Sequence, residues 1–160
     1  MTGARHRYLI ALGSNMRVAG IGGPRAVLSR TINAFAEADI GVQQTSRIMS
    51  SAPVGPSLRR YANAAVLAES ALSPEAMLAS LQKLEHRFGR RRKGAAWRAR
   101  PLDLDIVLWS GGYFASPELL IPHPLFRERS FVLKPAAEIA PHWRDPVTGL
   151  TLRQLAIRAA

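Results

Sequence analysis

The sequence feature that most constrains the fold is a short alternating stretch past the middle of the chain. Residues 102–108 have the sequence LDLDIVL, in which Asp103 and Asp105 alternate with apolar residues. Side chains two apart in an extended strand point to the same side of a sheet, so the pattern predicts a half-buried strand with both carboxylates on one face. The apolar residues are then expected to face a core on the other side: Leu102, Leu104, Ile106 and Leu108.

Two carboxylates on one open face repel each other unless a cation lies between them. Magnesium suits such a pair, because it prefers oxygen ligands, retains several waters and is shared with phosphate groups. The pattern therefore predicts a magnesium site at Asp103 and Asp105. The alternative is that the two carboxylates are simply solvated side chains on an exposed strand face.

A basic segment lies directly before this strand. Residues 90–100 contain six Lys and Arg residues and one aromatic residue, Trp97. Guanidinium groups match phosphate oxygens in a bidentate geometry, which favours a polyphosphate ligand. Gly89, Gly94 and Pro101 indicate a loop, within which Trp97 could cover a bound ring. The alternative is a solvated basic loop.

The overall charge agrees with an anionic ligand without identifying it. The 160 residues include 22 Lys and Arg against 11 Asp and Glu, giving a net charge of +11. Such a surface attracts nucleotides and nucleic acids alike. Cysteine is absent, which excludes disulfides and thiolate chemistry. The length fits one domain, and the apolar run near the N-terminus is too short for a signal peptide or membrane span, so we expect a cytoplasmic protein.

The rest of the chain predicts a mixture of strands and helices. Further strands are predicted at 8–12, 41–49, 61–69 and, as a hairpin partner of the central strand, 113–120. Helices are predicted at 24–38, at 74–88 after the N-cap Ser73, at 132–139, and after the N-cap Thr151. The intervening residues 50–60, with their prolines and glycine, are predicted to form a loop.

Single residues outside the basic segment are further candidates for ligand binding. Tyr61 and Asn63 share one face of their predicted strand, where an aromatic ring and an amide could stack on and hydrogen-bond a planar heterocycle. His123 lies between two prolines and could donate to a phosphate. Gln82 and Glu85 lie near the helix end that precedes the basic segment, where Glu85 could support a metal or an arginine. Ordinary packing, turn formation and surface ion pairing are the alternatives for these residues.

The motifs together resemble one family. They are LGSN at 12–15, PVGP and YANAAV within 53–66, GRRRK, W and RPLDLDI within 89–106, IPHP at 121–124, and RSFVLKPAAEIAP at 129–141. In this order and at these spacings they resemble 6-hydroxymethyl-7,8-dihydropterin pyrophosphokinase, an enzyme of folate synthesis. The resemblance extends over nearly the whole chain.

The resemblance implies an α+β fold, ferredoxin-like, with three α/β/α layers around a mostly antiparallel central sheet. It implies a single pyrophosphokinase domain over residues 1–160. The implied reaction moves the terminal diphosphate of ATP to the hydroxymethyl group of 6-hydroxymethyl-7,8-dihydropterin, releases AMP and uses two Mg²⁺ ions. The expected partners are these two small molecules, with no nucleic acid and no membrane, and the chain is expected to be a monomer.

The resemblance also implies roles for individual residues. The metal ligands are Asp103 and Asp105, which form the catalytic set together with Arg90 and Arg100. The ATP-binding residues are Gln82, Glu85, Arg90, Arg92, Trp97, Arg100, His123 and Arg129. The pterin-binding residues are Tyr61, Asn63 and Phe131. Trp97 belongs to the loop that closes over the assembled complex.

Two other classes of protein are alternatives to this enzyme. A ferredoxin-like RNA-binding module explains the charge but not the paired aspartates, which repel RNA, and the chain lacks the aromatic signatures of the common sheet-based RNA binder. An inactive relative that kept the fold is disfavoured by the retained Asp103, Asp105 and His123.

Overall fold

The protein is described here by a computed structural model, which covers residues 4–52, 60–89 and 101–160. Four of the residues predicted to bind ATP lie outside these described residues, as does the segment predicted to close over the complex: Arg90, Arg92, Trp97 and Arg100. Most of the predicted loop at 50–60 lies outside them as well.

Seven strands and four helices are described in these ranges. The strands are β1 (His6–Ser14), β2 (Gly41–Thr45), β3 (Met49–Ser51), β4 (Tyr61–Ser70), β5 (Asp103–Trp109), β6 (Phe114–Ala115) and β7 (Leu120–Ile121). The helices are α1 (Pro24–Ala34), α2 (Pro74–Phe88), α3 (Ser130–Ile139) and α4 (Leu152–Ala159). Short 3₁₀ turns follow α1 at Phe35–Ala38 and precede α3 at Phe126–Glu128.

The central sheet has five strands, and each of its described pairings is antiparallel. The strand order is β2-β4-β1-β5, with β3 pairing β4 beyond the end of β2. Helices α1 and α2 cover one face, and α3 and α4 cover the other. This arrangement confirms the predicted three-layer α+β fold.

The alternation of β1 assigns its side chains to the two faces of this sheet. Tyr8, Ile10 and Leu12 are buried beneath α1 and α2, on the α1/α2 face. Leu9 and Ala11 are buried beneath α3 and α4, on the α3/α4 face. Burying a large apolar side chain contributes about 1.5–3 kcal/mol. A shift of one residue would exchange the two sets, so the register of β1 is strongly specified.

Side-chain caps begin α2 and α4, as the sequence predicts. The Ser73 side chain accepts a hydrogen bond from the backbone N–H of Ala76 at 3.3 Å, and α2 ends before Gly89. Thr151 and Gln154 form a reciprocal capping box at the start of α4, in which each side chain accepts from the other's backbone N–H. Both caps satisfy backbone donors that a helix start leaves without an intrahelical partner.

The predicted single strand at 41–49 is wrong, because the chain forms two strands separated near Ser46. Ser46 is buried, its backbone N–H donates to the carbonyl of Ala65, and its hydroxyl accepts from the backbone N–H of Ala65 at 2.9 Å. A side-chain oxygen thus replaces a backbone acceptor, and the regular ladder stops there. The second strand, β3, reaches Ser51, so the first residues of the predicted loop are extended and paired.

The prediction that Leu108 faces the same side as Leu104 and Ile106 is also wrong. Leu9 of β1 pairs with Leu108, whereas Ile10 pairs with Ile106, so the β5 strand carries one extra residue between the two pairs. This β-bulge reverses the alternation. Leu104 and Ile106 therefore pack on the α1/α2 face, and Leu108 packs on the α3/α4 face.

The predicted hairpin partner of β5 at 113–120 is wrong as well. Strand β6 pairs with β7, and the two form a small sheet of their own. The outer edge of β5 is bonded elsewhere, since the carboxylate of Glu85 accepts from the N–H of Leu104 at 2.9 Å and the carbonyl of Val107 accepts from the N–H of His123 at 3.0 Å. These two contacts occupy positions that a hairpin partner would need.

Among the helices of residues 4–52, 60–89 and 101–160, none combines the length and the apolarity that crossing a bilayer requires.

Candidate active site

Asp103 and Asp105 lie at the start of β5, on the α3/α4 face of the sheet. Their partners across β1 are small: Gly13 pairs with Asp103, and Ala11 pairs with Asp105. Helices α3 and α4 cover the rest of this face, but both carboxylates remain half-exposed. Small neighbours and an uncovered sheet end therefore leave room for a ligand directly in front of the two carboxylates.

A cleft, called the sheet cleft below, opens in front of these two carboxylates. It lies between β1, β4, β5 and the start of α3, and its lining includes Tyr61, Asn63, Asp103, Asp105, Arg129 and Phe131. The structure thus brings the three predicted pterin-binding residues together with the two predicted metal ligands. They come from three segments that are well separated in the chain.

Asn63 presents a hydrogen-bond acceptor to the sheet cleft. It is only 4% exposed, and its Nδ2 donates to the Oγ of Ser51 at 2.7 Å. The Oδ1 atom is therefore turned the other way, toward Gly13, and lies 3.6 Å from the position that a Cβ at residue 13 would take. Gly13 leaves this carbonyl oxygen uncovered.

Two aromatic rings and a cation complete the sheet cleft. Tyr61, on β4, and Phe131, at the start of α3, are both half-buried. The guanidinium of Arg129 lies 5.7 Å from the centre of the Phe131 ring, within the range of a cation–π contact. Aromatic faces, an amide oxygen and a nearby positive charge suit a flat, polar heterocycle that carries a phosphate or receives one.

A second cleft, called the edge cleft below, lies along the outer edge of β5. Its lining includes Leu78, Asp105, Ile106, Leu120, His123 and Pro124. Asp105 therefore lines both clefts. Apolar side chains from α2 and β7 form much of the wall, which fits a ring, while Asp105, Glu118 and His123 supply the polar groups.

His123 offers a defined donor to the edge cleft. Its Nδ1 accepts from the backbone N–H of Leu125 at 3.1 Å, so the neutral ring carries its proton on Nε2. Burial lowers the pKa of His123 below its usual 6.5; Asp105 acts in the opposite direction, while Arg129 lowers the pKa further. The ring is therefore neutral at pH 7, with one N–H available to donate.

Glu85 and Gln82, which the resemblance assigns to the nucleotide side, both lie on α2. The Glu85 carboxylate accepts the Leu104 N–H, and this residue lies between the two aspartates in β5. Glu85 thus holds the edge of the strand that carries them. Gln82 is exposed on α2, and neither cleft includes it among the residues that line it.

The carboxylate pair fits a magnesium ion that is shared with a substrate. Within residues 4–52, 60–89 and 101–160, no three His, Asp or Glu side chains come together as a metal-binding group. A calcium site made by the protein alone needs six to eight oxygen ligands, whereas magnesium is commonly bound by one or two carboxylates, waters and phosphate oxygens. Asp103 and Asp105 match the second arrangement.

Two contributors to the site were missed by sequence reasoning. Ser51 orients Asn63, but its position was predicted to be in a loop, where no cross-strand contact could be inferred. Ser14 lies in β1, which runs two residues beyond its predicted end. Its buried hydroxyl donates to the carbonyl of Pro101 and so ties β1 to the residue before Leu102 and Asp103.

The fold and the site together define a class of protein: an α+β enzyme with a magnesium-type carboxylate pair between two ligand clefts. Comparison with known proteins narrows the class. The family described as 7,8-dihydro-6-hydroxymethylpterin-pyrophosphokinase (HPPK) matches residues 9–141 of this chain.

Individual relatives agree with this match. A 2-amino-4-hydroxy-6-hydroxymethyldihydropteridine pyrophosphokinase of Synechocystis sp. is 38% identical over 154 residues, which cover 94% of this chain and 74% of the relative. The enzyme of the same name from Bacillus subtilis is 33% identical, with 93% of this chain and 87% of the relative covered. A third, from Pseudomonas aeruginosa, is 34% identical, with 88% and 84% covered.

Solved structures support the fold. The chain is similar to the crystal structure of Plasmodium falciparum HPPK-DHPS with a TM-score of 0.69 at 12% identity, covering 97% of this chain and 44% of that one. The chain therefore belongs to the 7,8-dihydro-6-hydroxymethylpterin-pyrophosphokinase family. It is an enzyme of pyrophosphoryl transfer in folate synthesis.

Proposed function

We propose that the protein transfers the terminal diphosphate of ATP to the hydroxymethyl group of 6-hydroxymethyl-7,8-dihydropterin and releases AMP. It acts as a single domain over residues 1–160, as a cytoplasmic monomer that binds neither nucleic acid nor membrane. One observation carries the proposal: Asp105 lines both clefts, so ligands in the two clefts meet at the carboxylate pair.

The sheet cleft is the pterin site in this proposal. Tyr61 and Phe131 provide aromatic faces for the pterin ring, and the Oδ1 of Asn63 accepts from an N–H donor on its edge. The hydroxymethyl group then lies toward Asp103 and Asp105. A ring bound in this way offers its hydroxyl oxygen at the place where the two clefts meet.

The edge cleft is the nucleotide site. The Nε2–H of His123 donates to a phosphate oxygen, and the positive charge of Arg129 faces the transferred diphosphate. Arg90, Arg92 and Arg100 are assigned to grip the phosphates, and Trp97 to the loop that closes over the site. Gln82 and Glu85 are assigned to the nucleotide side, with Glu85 acting through the β5 edge that it holds.

The chemistry depends on charge neutralisation and alignment rather than on a protein nucleophile. The pterin hydroxyl oxygen forms a bond to the β-phosphorus as the bond from that phosphorus to the α-phosphate oxygen breaks, and AMP leaves. When bound at Asp103 and Asp105, two Mg²⁺ ions would neutralise the phosphate oxygens and favour loss of the hydroxyl proton. No side chain is assigned as general base, so the proton passes to solvent.

The direct test mixes the purified protein with Mg²⁺, ATP and the hydroxymethyl pterin and measures AMP. We expect AMP to form only when the pterin is present. No AMP, or AMP that forms equally without the pterin, would contradict the proposal. Tight, salt-sensitive RNA binding without AMP would instead favour the RNA-binding class.

The carboxylate pair is tested by substitution. We expect Asp103→Ala or Asp105→Ala to lower kcat by at least about a thousandfold, because each variant removes an oxygen ligand from the metal site. A matched control is Glu69→Ala, which removes an ion-paired carboxylate at the opposite end of β4. The measurement is the steady-state rate of AMP formation. Normal turnover in either aspartate variant would contradict its proposed role as a metal ligand.

A further inference from the structure

The segment 123–129, called the connecting arm below, links the two clefts. It begins at His123, which lines the edge cleft, and ends at Arg129, which lines the sheet cleft. Its middle turns away from both clefts, with Phe126 buried in the core of the α3/α4 face. The directions of the two functional side chains therefore depend on how the middle of the arm is held.

Arg127 fixes the middle of the arm to a distant part of the chain. Its Nε donates to Oδ2 of Asp145 at 2.5 Å, and its second guanidinium nitrogen donates to Oδ1 at 2.8 Å. The same guanidinium lies 4.7 Å from the centre of the Phe126 ring. A two-point hydrogen bond and a stacked ring leave the arginine little freedom to rotate, since both its position and its plane are set.

Asp145 is itself held rigidly. Its carboxylate also accepts from the Oγ1 of Thr148 at 2.7 Å and from the backbone N–H of Val147 at 3.0 Å. Its backbone N–H donates to the carbonyl of Leu150, and its carbonyl accepts from the N–H of Gly149. The carboxylate is therefore part of a closed turn between α3 and α4 rather than a mobile surface group.

Burial sets this ion pair apart from the others in the described residues. The Asp145 side chain has no exposed surface, whereas the acidic partners of Arg5, Arg47 and Arg87 are between 28% and 64% exposed. Burial raises the pKa of Asp145, but hydrogen bonds from Arg127, Thr148 and Val147 outweigh it and lower the pKa to about 2. The carboxylate is thus ionised at neutral pH.

A buried ion pair is a poor source of net stability, because removing two charges from water offsets most of their attraction. It does hold one geometry, since any displacement leaves a buried charge without its partner. We propose that Asp145 is a positioning residue for nucleotide binding, acting through Arg127 to aim His123 and Arg129 at the phosphates. This inference rests on the proposed function of the two clefts.

The test compares nucleotide and pterin affinity in Asp145→Asn. We expect its Kd for α,β-methylene-ATP with Mg²⁺, measured by calorimetry, to rise about tenfold, because a small displacement of a positioned group has a large effect. The KM for the pterin at saturating ATP changes by less than about twofold, since α3 holds Phe131 through its own buried residues. Arg127→Lys, which keeps the charge but cannot form both bonds, gives a smaller rise in the same Kd.

Two controls separate positioning from general destabilisation. Val27→Ala removes two methyl groups from the core of the α1/α2 face, lowers stability, and should leave the nucleotide Kd unchanged. His123→Ala removes the donor itself and should weaken nucleotide binding at least as much as Asp145→Asn.

The outcomes are distinct. Weaker nucleotide binding in Asp145→Asn and Arg127→Lys, with the pterin KM retained, supports the inference. If Arg127→Lys and any folded Asp145→Asn bind the nucleotide normally while His123→Ala does not, the inference fails and the proposed nucleotide site stands. If His123→Ala binds normally, the proposed role of the edge cleft fails. Equal losses for nucleotide and pterin would reduce Asp145 to a structural residue and overturn the inference.

Discussion

Asn63 and His123 show how a single hydrogen bond decides what a side chain presents to a ligand. The Oγ of Ser51 accepts a hydrogen bond from the side-chain amide N–H of Asn63, so the carbonyl oxygen of Asn63 faces the sheet cleft. Leu125 donates to one nitrogen of His123, which leaves the other as a donor for the edge cleft. Neither orientation follows from the identity of the residue, since both side chains can donate as well as accept.

Substitution of Asn63 tests this arrangement. We expect Asn63→Ala to raise the KM for the pterin by about tenfold to a hundredfold, because the site loses the acceptor that fixes the heterocycle edge. The KM for ATP should stay within about twofold. Ser50→Ala, which removes a hydroxyl from the residue next to Ser51, is the control. Equal increases in both KM values would show that Asn63 supports the fold rather than the pterin.

The ionised Asp145 also predicts how stability depends on pH. Its folded pKa of about 2 is below the ordinary value of 3.8. A carboxylate whose pKa is lower in the folded protein than in the unfolded protein stabilises the fold fully at pH values above its unfolded pKa. This stabilisation is lost as the pH falls through its folded pKa. We expect Asp145→Asn to cost about 3 kcal/mol at pH 7, and the gap from the wild type to narrow between about pH 4 and pH 2. Urea denaturation at pH 7, 4 and 2.5 measures the difference in the free energy of unfolding between the wild type and Asp145→Asn. A difference that stays constant with pH would contradict the lowered pKa of Asp145.

At the scale of elements, local rules predicted the helices, the caps and most strands. The starts of α2 and α4 follow from Ser73 and Thr151, because a capping side chain acts on backbone groups only a few residues away. The bulge beside Leu108 and the break at Ser46 could not be predicted in this way. Each depends on a backbone partner in another strand, which alternation within one segment does not reveal.

In the candidate site, too, local sequence patterns predicted some features, whereas others depend on contacts between distant segments. Alternation in β5 places Asp103 and Asp105 on one face, and alternation in β4 places Tyr61 and Asn63 on one face. The meeting of these four residues with Arg129 and Phe131 needs the order of strands in the sheet and the start of α3. Only the ordered resemblance to a family supplied that information from the sequence.

The capping box of α4 gives a prediction for one element. We expect Thr151→Ala to lower the free energy of unfolding by about 1 kcal/mol, because the N–H of Gln154 loses its side-chain acceptor. Thr151→Ser keeps the hydroxyl and should lose much less. Urea denaturation measures both variants. A Thr151→Ser loss as large as that of Thr151→Ala would show that the methyl group, rather than the cap, stabilises the helix start.

At the scale of the whole molecule, the excess of positive charge acts on one substrate more than on the other. The net charge of +11 attracts the ATP polyanion over distances that salt shortens, whereas an uncharged pterin ring experiences little of this field. The charge therefore favours nucleotide capture without being specific for it.

Ionic strength separates the two substrates experimentally. We expect the KM for ATP to rise several-fold between about 50 mM and about 500 mM KCl, with excess Mg²⁺ held constant. The KM for the pterin should change by less than about twofold. A parallel rise in both values would point to an effect of salt on the protein as a whole.

The alternation of β5 has a consequence for how this chain can change length. Adding one residue ahead of Asp103 would turn both acids into the apolar core and expose leucines in their place. The bulge at Val107 could not correct this, since it lies beyond both acids. Insertions and deletions are therefore expected in surface connections such as the turn at 110–112. The number of residues between Pro101, which the Ser14 hydroxyl contacts, and Asp105 should stay the same in any active variant.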